Sequence, residues 1–257
     1  NEFSSDNIDD IGADNIYSNF LTRETAYWQP ILEYNNVDGL QNIWDYHYKA
    51  IGQANAALDA IETTLHNDAS LNPAKGEALV ARAYAHFCLV NLFSQAYNPN
   101  TSSSDLGIPY ITRPEEEMNP QRQRGTVAEV YQQIAADLER GLPLIDDSYY
   151  QMPKYHFNKK AAYAFAARFY LYYQQWQKAL DAANVVLTTN DATTKNLVRE
   201  WLDFRDAQKT GTRSITAYAQ AYARESEVAN LMLQPVYSQL STNYFIETNQ
   251  RFSHAYR

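Results

Sequence analysis

The 257-residue chain has little cysteine, glycine or proline, and each shortage excludes a class of protein. The lone cysteine, Cys88, leaves no pair for a disulfide framework or a cysteine-bound metal site. Eight glycines and nine prolines are too few for an all-β protein with many turns, and the glycines are too few for a phosphate-binding loop. No apolar run is long enough to span a membrane, and the first residues contain no signal-like segment. We therefore expect a soluble chain, or one whose targeting segment has been removed.

The chain also has few positive charges: its 21 lysines and arginines are outnumbered by 30 acidic residues, which gives a formal net charge of -9. This balance argues against nucleic acid as a partner. Metalloprotease, nucleophile-elbow, Walker and dinucleotide motifs are all missing, and the five histidines are scattered. His47 falls on an apolar stripe, which is typical of a hydrogen-bonded core histidine. We expect no enzyme activity, no cofactor and no metal site.

Helical periodicity is what the sequence does contain. Residues 158–187 predict two short amphipathic helices, with one apolar stripe through Ala162, Phe165 and Phe169 and another through Ala179 and Ala183. Alanine where the stripes face each other predicts a closely packed helical hairpin that resembles a tetratricopeptide-type repeat. One hairpin cannot bury its own apolar face, so more helices are expected beside it.

Three further helices are predicted upstream. One runs over residues 40–65, with Asp38 and Gln41 as possible caps, and one over 73–93 after an Asn72 cap. The third, over 127–141, follows a capping box and forms a second hairpin with the helix over 73–93. The long loop between them, residues 96–125, is either functional or a connector strapped over the helices. The predicted fold class is mainly all-α: tetratricopeptide-like hairpins packed as an α-α superhelix, with long irregular loops and a core over about 40–190.

Several ordered segments carry a family resemblance. They are IWDYHYKAIGQANAAL (43–58), KGEALVARAYAHFCLVNLF (75–93), GIPY (107–110), TVAEVYQQIAADLERGLPLI (126–145) and FNKKAAYAFAARFYLYYQQWQKALDAANVVL (157–187). In this order they resemble the SusD/RagB family of outer-membrane nutrient-binding lipoproteins of the Bacteroidetes. Members of that family are usually much longer, so residues 1–257 are expected to be a single SusD-like domain from the N-terminal portion of a longer protein.

The resemblance implies a function and a location. Such a protein binds a glycan of the starch or polysaccharide type at the cell surface, without catalysis. It works in nutrient uptake with a TonB-dependent, SusC-like transporter in the outer membrane. The expected location is the extracellular face of that membrane, where a lipid anchor absent from this chain would provide the attachment.

Candidate ligand-binding residues come from composition, because 21 tyrosines exceed what a helical core needs. Sugar binding requires exposed rings with amide or acidic side chains at their edge. The predicted set is Tyr27, Trp28, Tyr34, Asn35 and Asn36 before the long helix, with Tyr149 and Tyr150 in a later loop.

Each candidate has a structural alternative. Trp28 could plug the end of the helical layer, and Tyr149 and Tyr150 could pack back on the hairpin. We expect Trp44, Trp176 and Trp201 in the core, and Asn55 to hydrogen-bond a neighbouring loop backbone.

Three other functions stay open at this point. The ligand could be a peptide bound by the same type of uptake complex, and an acidic surface weakly favours cationic peptides. A generic tetratricopeptide-like scaffold for protein partners would need a continuous concave groove that the loops leave open. An α-helical glycoside hydrolase would need two carboxylates across a cleft.

Overall fold

The computed structural model describes residues 8–10, 24–31, 39–117, 122–187, 194–195, 197–199, 224–233 and 252–254. The chain divides into two units, residues 1–46 with 235–257, and residues 47–234. The first unit contains an antiparallel pair, β1 (Ile8–Asp10) and β2 (Phe252–His254), in which Ile8 pairs with His254. Sequence analysis predicts no strand here, since three residues are too few to reveal a period. The single domain over 1–257 stays a prediction.

Helices dominate the described part of the chain, and the mainly helical fold class is confirmed. Five α-helices have both ends within the described residues: α1 (Leu40–Asp59), α2 (Asn72–Phe93), α3 (Val127–Gly141), α4 (Lys159–Tyr172) and α5 (Trp176–Val186).

Helix α1 is shorter than predicted. It ends at Asp59 and continues as a π-helical turn over Ala60–Thr64, in which the Leu65 N–H donates to the Ala60 carbonyl at 2.9 Å. The side chain of Gln41, one of the two proposed caps, donates to Asp45 at 2.9 Å, and capping by this residue stays a prediction. The other proposed cap, Asp38, lies outside the described residues.

Helices α2 and α3 form the second hairpin, as predicted. The capping box is confirmed: the Glu129 N–H donates to Thr126 Oγ1 at 3.2 Å, and the Thr126 N–H donates to Glu129 Oε2 at 2.7 Å. At the start of α2 the prediction is one residue off, because Asn72 is the first helical residue and Leu71 holds the cap position.

Two glycines let this hairpin pack closely. A Cβ atom at position 76 would lie 2.9 Å from the Gly141 carbonyl oxygen and 2.9 Å from the Leu144 Cβ. A Cβ atom at Gly141 would lie 3.0 Å from the Gly76 carbonyl oxygen. The two backbones therefore meet where neither residue carries a side chain.

We expect Gly76→Ala to lower the free energy of unfolding by about 1–3 kcal/mol, because the added methyl group meets backbone that cannot move aside. The matched control is Gly52→Ala in α1, where a Cβ would meet nothing within 4 Å. That change should stabilise the chain by about 0.5–1 kcal/mol, since alanine favours helix over glycine. Urea unfolding of both variants measures the difference, and equal effects would contradict the close approach.

Helices α4 and α5 form the predicted hairpin. The Asn158 side chain caps α4 by accepting from the Ala161 N–H at 3.0 Å. Ala162 and Phe169 of α4 are fully buried, and Val186 of α5 is buried. The core prediction for Trp176 is wrong, because this side chain is 62% exposed at the first position of α5. Its spacing matched the stripe, but a residue at a helix end has neighbours on one side only.

Candidate functional site

The segment over residues 24–31 presents two aromatic rings. Its backbone turns through a Trp28 N–H bond to the Thr25 carbonyl at 3.3 Å and a Gln29 N–H bond to the Glu24 carbonyl at 2.8 Å. Trp28 has a φ of 55°, in the left-handed region that a bulky residue seldom adopts. The Trp28 side chain is 80% exposed and Tyr27 is 45% exposed. The turn therefore holds a nearly uncovered indole on the surface.

An exposed indole is unusual, since tryptophan is among the most buried side chains on average. The alternative reading of Trp28 as a plug does not fit a side chain that is 80% exposed. A flat ring of this kind offers an apolar face on which the apolar face of a pyranose can stack.

The two later tyrosines have different environments. Tyr150 is 8% exposed, its hydroxyl donates to the Pro73 carbonyl at 3.2 Å, and the His156 ring stacks on it with centroids 4.2 Å apart. Burial raises the pKa of Tyr150, and the Glu77 carboxylate raises it further. Tyr149 is 47% exposed and meets Tyr150 edge-on. The Tyr150 ring is thus packed against the protein, whereas the Tyr149 ring is exposed enough for a ligand to contact it.

A buried ion pair joins α2 to α3. Arg82 donates from Nε to Asp137 Oδ2 at 2.7 Å and from Nη2 to Oδ1 at 2.6 Å, and both side chains are buried. The Tyr110 hydroxyl donates to the same Oδ2 at 2.7 Å. Burial alone would lower the pKa of Arg82, but the hydrogen bonds and charge of Asp137 outweigh it and raise this pKa. The guanidinium therefore stays charged.

His86 lies one turn further along α2 and is completely buried. Its Nε2 accepts from the Ile111 N–H at 3.1 Å, so the ring proton is on Nδ1, which donates to the Arg82 carbonyl at 2.9 Å. The Tyr110 ring stacks on it at 3.7 Å. Burial lowers the pKa of His86 to about 3, so the imidazole is neutral. Its role is structural.

These side chains fasten the long loop. The Asn55 amide donates to the carbonyls of Ile111 and Arg113 at 3.0 and 3.2 Å, and its oxygen accepts from Arg82 Nη1 at 2.8 Å. The Tyr48 hydroxyl donates to the Pro109 carbonyl at 2.8 Å. The predicted role of Asn55 is confirmed, and residues 107–113 form the connector strapped over the helices.

Sequence reasoning missed the partners of Asn55. Arg82 lies beside Ala83 in the apolar stripe of α2, and Asp137 lies beside Leu138 in that of α3. A charged residue within each of two stripes that face one another is the signal of a buried pair.

A family model described as "Starch-binding associating with outer membrane" matches residues 3–171. The chain belongs to the SusD-like family. This match covers more than half of the chain and includes the first four segments that carry the resemblance and about half of the fifth. Among curated proteins, none matches the chain.

Solved SusD-like structures share the fold. A SusD superfamily protein from Bacteroides thetaiotaomicron VPI-5482 is 27% identical, with a TM-score of 0.59, over 72% of this chain and 39% of the other. One from Bacteroides fragilis is 22% identical, with a TM-score of 0.58, over 77% and 45%. A laminarin binding SusD-like protein is 22% identical, with a TM-score of 0.52, over 69% and 35%. The chain thus spans less than half the length of these relatives.

The remaining predicted site residues, Tyr34, Asn35 and Asn36, lie outside the described residues, and ligand binding by the whole set stays a prediction. No helix in the described part of this SusD-like chain is long and apolar enough to cross a membrane.

Proposed function

We propose that this chain is the N-terminal portion of a non-enzymatic subunit that binds an oligosaccharide at the cell surface. In this proposal it works in nutrient uptake with a TonB-dependent, SusC-like transporter of the outer membrane. The family description supports both the ligand class and the membrane. The laminarin binding SusD-like protein shares the fold, which supports a carbohydrate ligand for this chain.

The observation that carries the proposal is the exposure of Trp28 beside the half-exposed Tyr27. Two neighbouring aromatic rings that face solvent suit a sugar better than a folded core. Tyr34, Asn35 and Asn36 follow within ten residues and belong to the proposed site by sequence alone. Tyr149 is a separate ligand-binding candidate because its ring is 47% exposed, while Tyr150 supports the loop that carries Tyr149.

We expect the chain to bind α- or β-glucan oligosaccharides in isothermal titration calorimetry, and Trp28→Ala to weaken binding about five- to tenfold. Loss of a stacked ring costs about 1–1.5 kcal/mol, which corresponds to a change of that size in the dissociation constant. The matched control is Trp176→Ala, which removes a second highly exposed tryptophan from α5. Its affinity should equal that of the unmodified chain.

Equal affinity of the Trp28 and Trp176 variants would contradict the assigned site. Binding to a peptide panel and to no glycan would favour the peptide-binding alternative and contradict the proposed ligand. Purification of the full-length protein from outer membranes, with or without a barrel transporter, tests the proposed partner.

A further inference from the structure

A polar cleft of about 430 Å³ opens beside the buried Arg82–Asp137 pair. It lies between the C-terminal half of α1 with the turn that follows, helices α2 and α3, and the fastened loop. Its volume is within the range of small-molecule sites. No aromatic ring lines it, so a ligand there would be held by hydrogen bonds and charge.

The floor of the cleft is internally hydrogen-bonded and electrically neutral. Arg82 and Asp137 cancel each other through two hydrogen bonds, and Asn55 bridges Arg82 to the loop. All three side chains already have hydrogen-bond partners within the protein. The side chains on the walls of the cleft therefore determine which ligand charge it prefers.

The walls carry three more cations and two carboxylates: Lys75, Arg113 and Arg140 against Asp59 and Glu62. The five ion pairs of the described residues include neither Arg113 nor Arg140, and both side chains are exposed. Lys75 donates to the Asn67 side chain at 2.8 Å, which positions its ammonium group. The lining has a formal charge of +1 on a chain of formal charge -9. This is a cationic cleft on an acidic protein.

We propose that this cleft binds the anionic groups, carboxylate or sulfate ester, of a charged oligosaccharide. The inference rests on the proposed function and goes beyond it by adding a second contact surface with its own ligand class. Guanidinium groups match the planar carboxylate and the sulfate oxygens with paired N–H donors. The carboxylates of Asp59 and Glu62 accept from sugar hydroxyls, so the cleft suits a ligand that has both hydroxyl donors and negative charge.

The test uses the full chain and three ligands of equal length in calorimetry at low salt: a galacturonate oligosaccharide, a sulfated oligosaccharide and a neutral glucan. The variant Arg113→Gln/Arg140→Gln should bind the charged ligands at least about tenfold more weakly than the unmodified chain and the neutral one equally well. Arg168→Gln, which removes an exposed arginine of α4 outside the cleft, is the control and should change nothing.

Tighter binding of the galacturonate ligand would show that the cleft recognises a carboxylate. Tighter binding of the sulfated ligand would show that it recognises a sulfate ester. Charged ligands that bind the double variant and the unmodified chain equally overturn the inference. Binding of the neutral glucan alone overturns it while leaving the proposed function in place. Binding of no oligosaccharide of either kind overturns both.

Discussion

Asp137→Ala is expected to lower the free energy of unfolding by about 3–5 kcal/mol, because it leaves the Arg82 guanidinium buried without its counter-charge. The Tyr110 hydroxyl loses its acceptor in the same variant. The loop is fastened through Arg82 as well, since Arg82 Nη1 donates to the Thr112 carbonyl at 3.1 Å. Urea unfolding followed by circular dichroism measures the loss.

Lys178→Ala is the control for that variant. Lys178 and Glu139 form an ion pair of almost the same length, 2.7 Å, but both side chains are about half exposed. Water screens such pairs, so the control should change stability by less than about 1 kcal/mol. If Asp137→Ala does not fold, Asp137→Asn keeps the shape and removes the charge together with one of the two acceptor oxygens. Equal stabilities for the buried and exposed variants would contradict the importance of burial.

The Arg82–Asp137 pair also explains why the loop over residues 107–113 is ordered without secondary structure. Its backbone groups find partners in side chains of α1 and α2, namely Tyr48, Asn55, Arg82 and His86. Buried backbone groups need such partners. A groove-type scaffold for protein partners is therefore poorly supported, since this loop lies across the helices that would line the groove.

Periodicity and capping chemistry were sufficient to predict the helices, because both act within a few residues. Thr126 and Glu129 identify the start of α3, and the alanine and phenylalanine stripe of α4 identifies its buried face. The close approach of Gly76 and Gly141 could not be predicted from the sequence, since it depends on how two helices cross. For the same reason Asn55 could be assigned a structural role from its position, but its partners could not be named.

The candidate site was less predictable than the helices. An aromatic residue in a loop has the same local signal whether it faces solvent, as Trp28 does, or packs inward, as Tyr150 does. Trp176 fits a helical stripe by spacing and is nevertheless exposed. Exposure depends on which other elements cover a residue, and that information is spread over the whole chain. The charge of the cleft has the same origin, since its lining comes from four separate segments.

Acid is expected to destabilise the chain through His86. The pKa of this imidazole is about 3 in the folded chain and 6.5 as its ordinary value, so the unfolded state binds the proton more tightly. Stability from this ring is fully present above pH 6.5 and is lost as the pH falls towards 3. The slope is about 1.4 kcal/mol per pH unit once the unfolded imidazole is protonated, so about 2–3 kcal/mol is lost between pH 7 and pH 4.5.

The variant His86→Gln isolates this contribution. Glutamine keeps a donor and an acceptor near Arg82 and Ile111 but does not titrate, while the loss of the stacked ring on Tyr110 lowers its stability at pH 7. Carboxylates elsewhere titrate equally in both proteins. The difference in unfolding free energy between the two proteins should therefore shrink by about 2–3 kcal/mol from pH 7 to pH 4.5. A difference in unfolding free energy that stays constant with pH would mean that His86 is protonated in the folded chain at pH 4.5. That result would contradict the Ile111 contact, because an Nε2 atom that accepts a hydrogen bond cannot also carry a proton.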